Sequence, residues 1–161
     1  MLEESDGRRS IYIDLISSPA AKYLSRRPYV INLIREILPA TQFNGKRIVI
    51  EHDMGRNIGS TDIVKTNSND LIYYAQPIKS QVFSRFAKNR YPQPSQLLTI
   101  IVEQDADGNY EVINTWIGPS SPAFPGDEYE TAKSKVYWQD HALVQDAQLI
   151  QSKSITKDCP Y

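Results

Sequence analysis

The sequence predicts an α+β protein in which N-terminal helices pack on a four- to five-stranded antiparallel sheet and a C-terminal helix follows. Apolar residues recur with helical spacing before residue 40 and with β-type spacing between 47 and 118. The turns between the predicted strands are short, and strands joined by short turns pair antiparallel. We expect a flexible start over 1–10, a single domain over 11–151 and a flexible tail over 152–161.

The clearest helical pattern begins at Pro28, a residue that suits the first turn of a helix. Apolar residues then follow the i, i+3, i+4, i+7, i+8 spacing of a helix with one buried face: Val30, Leu33, Ile34, Ile37 and Leu38. Residues 10–25 have a weaker helical spacing, in which Pro19 either breaks the helix or begins a second short one. A further helix is predicted over 130–145.

Strand-like runs occupy the middle of the chain. They are residues 47–52, 70–76, 81–88, 97–104 and 110–118. Asp107-Gly108 lies between the last two runs, and this dipeptide between β-branched segments is a strong hairpin signal. We therefore expect these two runs to pair as an antiparallel hairpin.

Composition excludes several classes of protein. No run of about eighteen apolar residues is present, so no membrane-spanning segment is predicted. The charged N-terminus lacks the apolar core of a signal peptide, which favours a cytoplasmic location or export by another route. Cys159 is the one cysteine, so neither an internal disulfide nor a zinc site is expected. The sequence contains no P-loop, GxGxxG, GxSxG or HExxH motif, and no metal or other cofactor is expected.

Charge is distributed unevenly along the chain. Residues 1–100 contain 14 Lys and Arg against 9 Asp and Glu, whereas residues 101–161 contain 4 against 10. A polyanion would therefore meet the first hundred residues. The alternative is that an asymmetry of this size is common and has no functional meaning.

The two histidines, His52 and His141, are candidates for acid–base chemistry because imidazole titrates near neutral pH. His52 ends the first predicted strand, and Arg56 follows it closely. His141 lies in "WQDHALV" on the predicted C-terminal helix. Each histidine has a structural alternative, as a capped residue at a strand end or as a core residue bonded to a carbonyl.

A basic stretch with interleaved aromatic residues provides candidate phosphate ligands. Its cations are Arg85, Lys88 and Arg90 in "VFSRFAKNRY". Cationic groups beside aromatic rings suit a phosphate backbone with stackable bases. The alternative is a solvated edge strand whose charges discourage aggregation.

Two hydroxyl residues belong to the same set of candidates. Thr115 lies in the apolar strand "INTWIG", and Ser95 is a weaker version of the same pattern. A hydroxyl in an apolar strand face can bind a phosphate oxygen. It is equally often bonded within the sheet.

The order of these parts resembles the barnase–EndoU–colicin–RelE superfamily of small ribonucleases, which are widely used as bacterial toxins. The resemblance covers residues 28–118 and rests on a strand that ends in histidine, then "DLIYYA", "VFSRFAKNR", "LLTIIV" and "YEVINTW". The segments "TWIGPSSPAFPGDE" and "YWQDHALV" are similar to a tail found in uncharacterised bacterial proteins with the same strand block.

The resemblance implies a metal-independent endoribonuclease toxin in which the ribose 2′-OH attacks the adjacent phosphorus. It implies an RNA substrate and a cognate immunity or antitoxin protein, and it allows for delivery into a target cell as part of a larger toxin. The implied catalytic residues are His52, Arg85, His141 and Thr115, and the implied RNA-binding residues are Lys88, Arg90, Arg56 and Ser95. The two histidines share one site only if the terminal helix folds back over the sheet. The alternative function is a non-catalytic binding module, an immunity or adaptor protein that uses the same sheet.

Overall fold

The computed structural model of the protein describes residues 2–5, 10–16, 18–38, 41, 43–77, 81–144 and 152–161. The helices are α1 (Pro19–Arg26), α2 (Tyr29–Ile37) and α3 (Ser134–Asp140). The strands are β1 (Leu2–Ser5), β2 (Ser10–Ile13), β3 (Arg47–Asp53), β4 (Gly59–Thr61), β5 (Ile63–Lys65), β6 (Ile72–Pro77), β7 (Ser84–Ala87), β8 (Gln93–Ser95), β9 (Leu97–Gln104), β10 (Tyr110–Ile117), β11 (His141–Val144) and β12 (Ser152–Thr156). The protein is α+β, which confirms the predicted class.

The chain forms two compact units, and each unit is made of two separate stretches. The first unit contains Met1–Ile58 and Gln96–Ser120, and the second contains Gly59–Ser95 and Ser121–Tyr161. That residues 11–151 fold as one domain stays a prediction.

The first unit is built on a five-stranded sheet with the order β1-β2-β10-β9-β3. β9 and β10 pair antiparallel, which confirms the predicted hairpin. Gly108 adopts a φ of 85°, a conformation that favours glycine. The Asp105 carboxylate accepts hydrogen bonds from the N–H groups of Asp107 and Asn109 at 2.9 and 3.0 Å, and it thereby holds the turn. β2 runs parallel to β10, so this sheet is mixed.

α2 buries its apolar stripe in the core of the first unit. The buried residues of this helix are Val30, Leu33, Ile34 and Ile37, as the sequence predicts. They belong to one cluster with residues of the two central strands, among them Leu98, Ile100, Val102 and Val112. This cluster attaches the helix to one face of the sheet.

The segment 11–26 begins as a strand and becomes a helix only at Pro19. Ile11 and Ile13 are buried on either side of a half-buried Tyr12, which is the period of a strand and not of a helix. The Ser18 hydroxyl accepts a hydrogen bond from the Ala21 N–H at 3.1 Å, so it caps the new helix. Of the two alternatives for Pro19, the structure therefore shows a helix start.

The second unit is built on a five-stranded sheet with the order β12-β6-β7-β11-β5. β6 and β7 pair antiparallel, whereas β7 and β11 run parallel. The helix predicted over 130–145 is shorter than expected, because the backbone becomes extended at His141, with φ −129° and ψ 153°. Burial then alternates along β11, which gives this segment the period of a strand.

Strands also form near both ends of the chain, where the sequence predicts flexibility. β1 pairs with β2, and β12 pairs antiparallel with β6. The sequences of β1 and β12 show no clear apolar alternation. Their extended conformation depends on main-chain hydrogen bonds to the neighbouring strand. Residues 1 and 6–9 of the predicted flexible start, and residues 145–151 ahead of the tail, lie outside the described residues.

Replacing Ile34 by Ala tests the core of the first unit. Ile34 is fully buried, so removing its side chain leaves a cavity and should lower the free energy of unfolding by about 2–5 kcal/mol. Urea unfolding measures this loss. Ile16→Ala is the matched control, because Ile16 is 94% exposed and its removal should change stability by less than about 0.5 kcal/mol. Equal effects of the two substitutions would contradict the packing described.

Glu111, on β10, lies in an acidic environment. Burial, and then the negative charges of Asp14, Glu103 and Asp105, raise the pKa of Glu111 above its ordinary value of 4.5. A carboxyl group whose folded-state pKa is raised contributes stability at pH below 4.5. That contribution is lost as the pH rises through the folded-state pKa.

Glu111→Gln should therefore raise the free energy of unfolding at pH 7, where the native carboxylate is charged. The gain should shrink as the pH falls toward 4, where Glu111 becomes protonated. Urea unfolding at both pH values measures the difference. Glu128→Gln is the control, because Glu128 is exposed. A gain from Glu111→Gln that is the same at both pH values would contradict the electrostatic origin.

Candidate functional site

The residues proposed from the sequence divide between the two units. His52, Arg56 and Thr115 belong to the first unit, and Arg85, Lys88, Arg90, Ser95 and His141 belong to the second. The two histidines therefore lie in different units. A shared two-histidine site stays a prediction.

His52 is exposed at the end of β3. It pairs with Leu98 in the register and lies on the same face as Ile50, which packs against the core. Arg56 is also exposed, and its guanidinium is 3.4 Å from the Glu36 carboxylate. Both side chains are open to solvent, and a surface ion pair of this length contributes little to stability.

Thr115 is buried and forms its hydrogen bond within the sheet. Its side chain is 1% exposed, and its hydroxyl donates a hydrogen bond of 2.8 Å to the Thr99 carbonyl of β9. Of the two alternatives for this hydroxyl, the geometry favours the bond within the sheet. Thr115 is not positioned to meet a phosphate from solvent.

Arg85 lies in the middle of the second sheet and is 8% exposed. One of its terminal nitrogens, Nη1, donates to the Thr66 hydroxyl and to the His141 carbonyl, each at 2.9 Å. The Thr66 N–H and hydroxyl in turn donate to the Asp140 carbonyl. Arg85 therefore ties β7 to the residue after β5 and to the junction between α3 and β11.

The partners of Arg85 are unusual for a buried cation. Among the described residues, no carboxylate forms an ion pair with it. Its Nε is buried and has no hydrogen-bond partner there. The carbonyls at the end of α3 carry partial negative charge, which offsets part of the cost of burying the guanidinium. One donor of this side chain is left unused.

His141 is held in a defined orientation at the start of β11. Its Nδ1 lies 3.0 Å from the Tyr137 carbonyl, and its ring stacks on the Tyr137 ring with centroids 3.9 Å apart. A carbonyl only accepts hydrogen bonds, so Nδ1 carries the proton. In the neutral ring the lone pair is then on Nε2. The side chain is half-buried.

Strand register defines the face of the second sheet on which His141 lies. Phe86 pairs with Tyr73 of β6 and with Leu143 of β11, so these three side chains share a face. His141 precedes Leu143 by two residues and pairs with Lys65 of β5, so both join them. We call this set the His141 face.

The opposite surface carries Arg85. It pairs with Tyr74, which in turn pairs with Thr156 of β12. We call the surface formed by these three residues the Arg85 face. The sequence places Arg85 and His141 around one phosphate, but the register puts their side chains on opposite faces of the sheet. Only the His141 main chain meets the guanidinium.

The His141 face combines cationic and aromatic groups. Lys88 is exposed, and its Nζ lies 5.4 Å from the centre of the Tyr73 ring. Tyr73 stacks on Phe86 with centroids 5.2 Å apart. Lys65 is exposed directly across from His141, which brings their Cβ atoms to about 5 Å. The His141 face therefore carries two exposed ammonium groups: Lys65 is next to the imidazole in the register, and Lys88 lies further along the sheet, over Tyr73.

The remaining candidates of the second unit have structural partners. The Arg90 guanidinium donates to the Asp70 carboxylate and to the Lys65 carbonyl, both at 3.1 Å. The Asp70 side chain is 3% exposed, so Arg90 neutralises a buried charge. Ser95 ends β8, where it pairs with Gly59 of β4. Roles of Arg90 and Ser95 in RNA binding stay predictions.

Sequence reasoning missed Lys65, Tyr73 and Tyr74. Lys65 ends the three-residue strand β5, which is too short to show an alternating pattern. The two tyrosines lie in the predicted strand over 70–76, and alternation could have placed them on opposite faces. Which of the two tyrosines shares a face with Arg85 depends on the register between β6 and β7.

Comparison of the chain with protein-family models, with curated protein sequences and with solved structures finds no match. In the part of the chain that the structure describes, no helix is long and apolar enough to cross a membrane. Nor does a group of three or more His, Cys, Asp or Glu residues there form a potential metal site.

Arg85→Ala should destabilise the second unit. The substitution leaves the partly buried His141 carbonyl without its donor, which costs about 1–3 kcal/mol before any loss of packing. Urea unfolding measures the effect. Lys88→Ala removes an exposed cation from the neighbouring stretch and should change stability by less than about 0.5 kcal/mol. An Arg85→Ala protein as stable as the unmodified one would show that the hydrogen bonds of Arg85 to Thr66 and His141 do not stabilise this unit.

Proposed function

We propose that the protein is an endoribonuclease that cleaves RNA on the His141 face of the second sheet. The observation that carries the proposal is the orientation of His141. The Nδ1 proton is engaged by the Tyr137 carbonyl, so Nε2 of the neutral ring is the atom that can accept a proton. Lys65 lies next to this ring in the register, Lys88 lies further along the same face, and ammonium groups are suited to a phosphate.

The proposed reaction is a transesterification within the RNA chain. His141 Nε2 removes the proton from a ribose 2′-OH, and the oxygen forms a bond to the adjacent phosphorus. The bond from phosphorus to the 5′-oxygen breaks, which leaves a 2′,3′-cyclic phosphate and a 5′-hydroxyl end. An ammonium group of Lys65 or Lys88 stabilises the added negative charge and returns a proton to the leaving oxygen.

Arg85 acts through the main chain in this proposal. Its bond to the His141 carbonyl fixes the first residue of β11, and the imidazole is attached to that residue. Arg85 is therefore a positioning residue. The sequence-based role of Arg85 as a direct phosphate ligand stays a prediction, and the register puts its side chain on the opposite face of the sheet from His141.

The resemblance to small ribonuclease toxins extends the proposal to the cell. A toxin of this kind acts in a cytoplasm, where RNA is present, and needs an immunity or antitoxin partner in the cell that makes it. Delivery as part of a larger toxin belongs to the same proposal. Induced expression without an inhibitor should therefore arrest growth, and His141→Gln should relieve the arrest at equal protein level.

Cleavage by the His141→Gln protein is the direct test. Glutamine keeps a planar polar group but has no nitrogen lone pair that accepts a proton, so the cleavage rate should fall at least about a hundredfold. Labelled RNA at pH 7 with excess chelator provides the assay, and product ends are identified by mass. RNA with a 2′-deoxy sugar at the cleaved position should resist cleavage.

Matched variants separate the proposed roles. Lys135→Ala removes an exposed lysine of α3 that is not one of the residues forming the His141 face, and it should leave the rate unchanged. Lys65→Ala and Lys88→Ala should each lower kcat/KM, because they contact the phosphate. His52→Ala tests the sequence-based pairing of the two histidines: a loss of rate equal to that of His141→Gln would support it.

Two results would overturn the enzyme proposal. One is a purified, folded protein that cleaves no RNA at neutral pH. The other is cleavage that survives His141→Gln unchanged. RNA binding without cleavage, abolished by Lys88→Ala, would instead support a non-catalytic binding module.

A further inference from the structure

The Arg85 face is covered by the C-terminal residues of the second unit. β12 lies beside β6, and the Tyr161 ring meets the Tyr74 ring edge-on with centroids 5.8 Å apart. The Cys159 thiol donates to the Tyr161 carbonyl at 3.0 Å and lies within hydrogen-bonding reach of the Tyr74 hydroxyl. We call the residues after β12, Lys157 to Tyr161, the C-terminal cover.

The buried groups under the C-terminal cover are donors without an anion. Arg85 carries a full positive charge, and its Nε–H points at no acceptor among the described residues. Its side chain also lies within hydrogen-bonding reach of the Tyr74 hydroxyl. A buried N–H of a charged group that finds no acceptor is costly, and an oxyanion would remove that cost.

Tyr74 is suited to donate a hydrogen bond at this place, whereas Tyr161 belongs to the segment that must move aside. Burial raises the pKa of Tyr161 to about 12, and it also raises the pKa of Tyr74. Both hydroxyls are therefore protonated at neutral pH. A phenol that keeps its proton binds an oxyanion as a donor, and it does not repel the oxyanion as a phenolate would.

We propose that Arg85 and Tyr74 form a second anion site, which binds a phosphate group when the C-terminal cover moves aside. The Arg85 Nε–H and the Tyr74 O–H donate to two oxygens of the phosphate. This site is distinct from the proposed cleavage site, because the register puts it on the opposite face of the sheet from His141.

The packing of the C-terminal cover is compatible with its displacement. Residues 157–160 are exposed, so the Tyr161 ring, which is itself 36% exposed, is the main apolar contact of this segment. β12 lies at the edge of the sheet, and its register with β6 is interrupted between Ser152 and Ser154. Moving the residues after β12 leaves the pairing between β6 and β7 intact.

Calorimetric titration of the full chain at pH 7 tests this site. Inorganic phosphate and adenosine 5′-monophosphate are titrated separately, so that a free ion and a phosphomonoester are distinguished. Tyr161→Ala should bind at least one of them at least fivefold more tightly than the unmodified protein does, because the C-terminal cover no longer competes. Tyr74→Phe, combined with Tyr161→Ala, should lose most of that gain.

Two further variants locate the anion. Arg85→Lys keeps the charge but lacks the Nε–H, and it should weaken binding in the Tyr161→Ala background. Lys88→Ala, which changes the His141 face, should not. No binding of either probe by the Tyr161→Ala protein would overturn the proposal, as would binding that depends on Lys88 and not on Tyr74. RNA cleavage by Tyr74→Phe is measured in parallel, and its persistence shows that loss of this site is separate from loss of the proposed function.

Discussion

The Arg85 guanidinium joins three parts of the second unit through one nitrogen. It binds the His141 carbonyl and the Thr66 hydroxyl, and Thr66 in turn binds the last carbonyl of α3. α3 ends at this point and β11 begins, so the bracing fixes where the helix turns into a strand. The direction of the His141 ring follows from that junction, since the ring is held by the Tyr137 carbonyl one helical turn earlier.

Arginine and lysine have different tasks in this unit. The planar guanidinium of Arg85 donates to fixed main-chain and hydroxyl oxygens inside the fold, which suits its rigid fork of donors. Lys65 and Lys88 are exposed, and the Lys88 ammonium lies over the Tyr73 ring. Under the proposed function, lysines bind the phosphate on the His141 face. Arg85 holds the His141 main chain from the opposite face of the sheet.

Local signals explain the parts of the fold that could be predicted from the sequence. The hairpin of β9 and β10 has its own turn, with Gly108 in a conformation that glycine favours, and α2 carries a complete apolar stripe. β2, β11 and β12 could not be predicted in this way, because each exists through pairing with a strand distant in sequence. Of the residues near the candidate site, the sequence singled out His141, Arg85 and Lys88 by type, but it missed Lys65 and Tyr73 and gave none of the geometry. A buried arginine is rare, and no sequence pattern indicates which main-chain carbonyl or hydroxyl will accept its hydrogen bonds.

Nitrogen-15 NMR of the histidine rings tests the central claim most directly, with an RNA carrying 2′-O-methyl groups so that it binds without being cleaved. The account predicts that neutral His141 has its proton on Nδ1 and a lone pair on Nε2. It also predicts that adding this RNA shifts the Nε2 resonance of His141 and the Nζ resonances of Lys65 and Lys88. A His141 with its proton on Nε2, or an RNA complex that leaves these three resonances unmoved, would contradict the account.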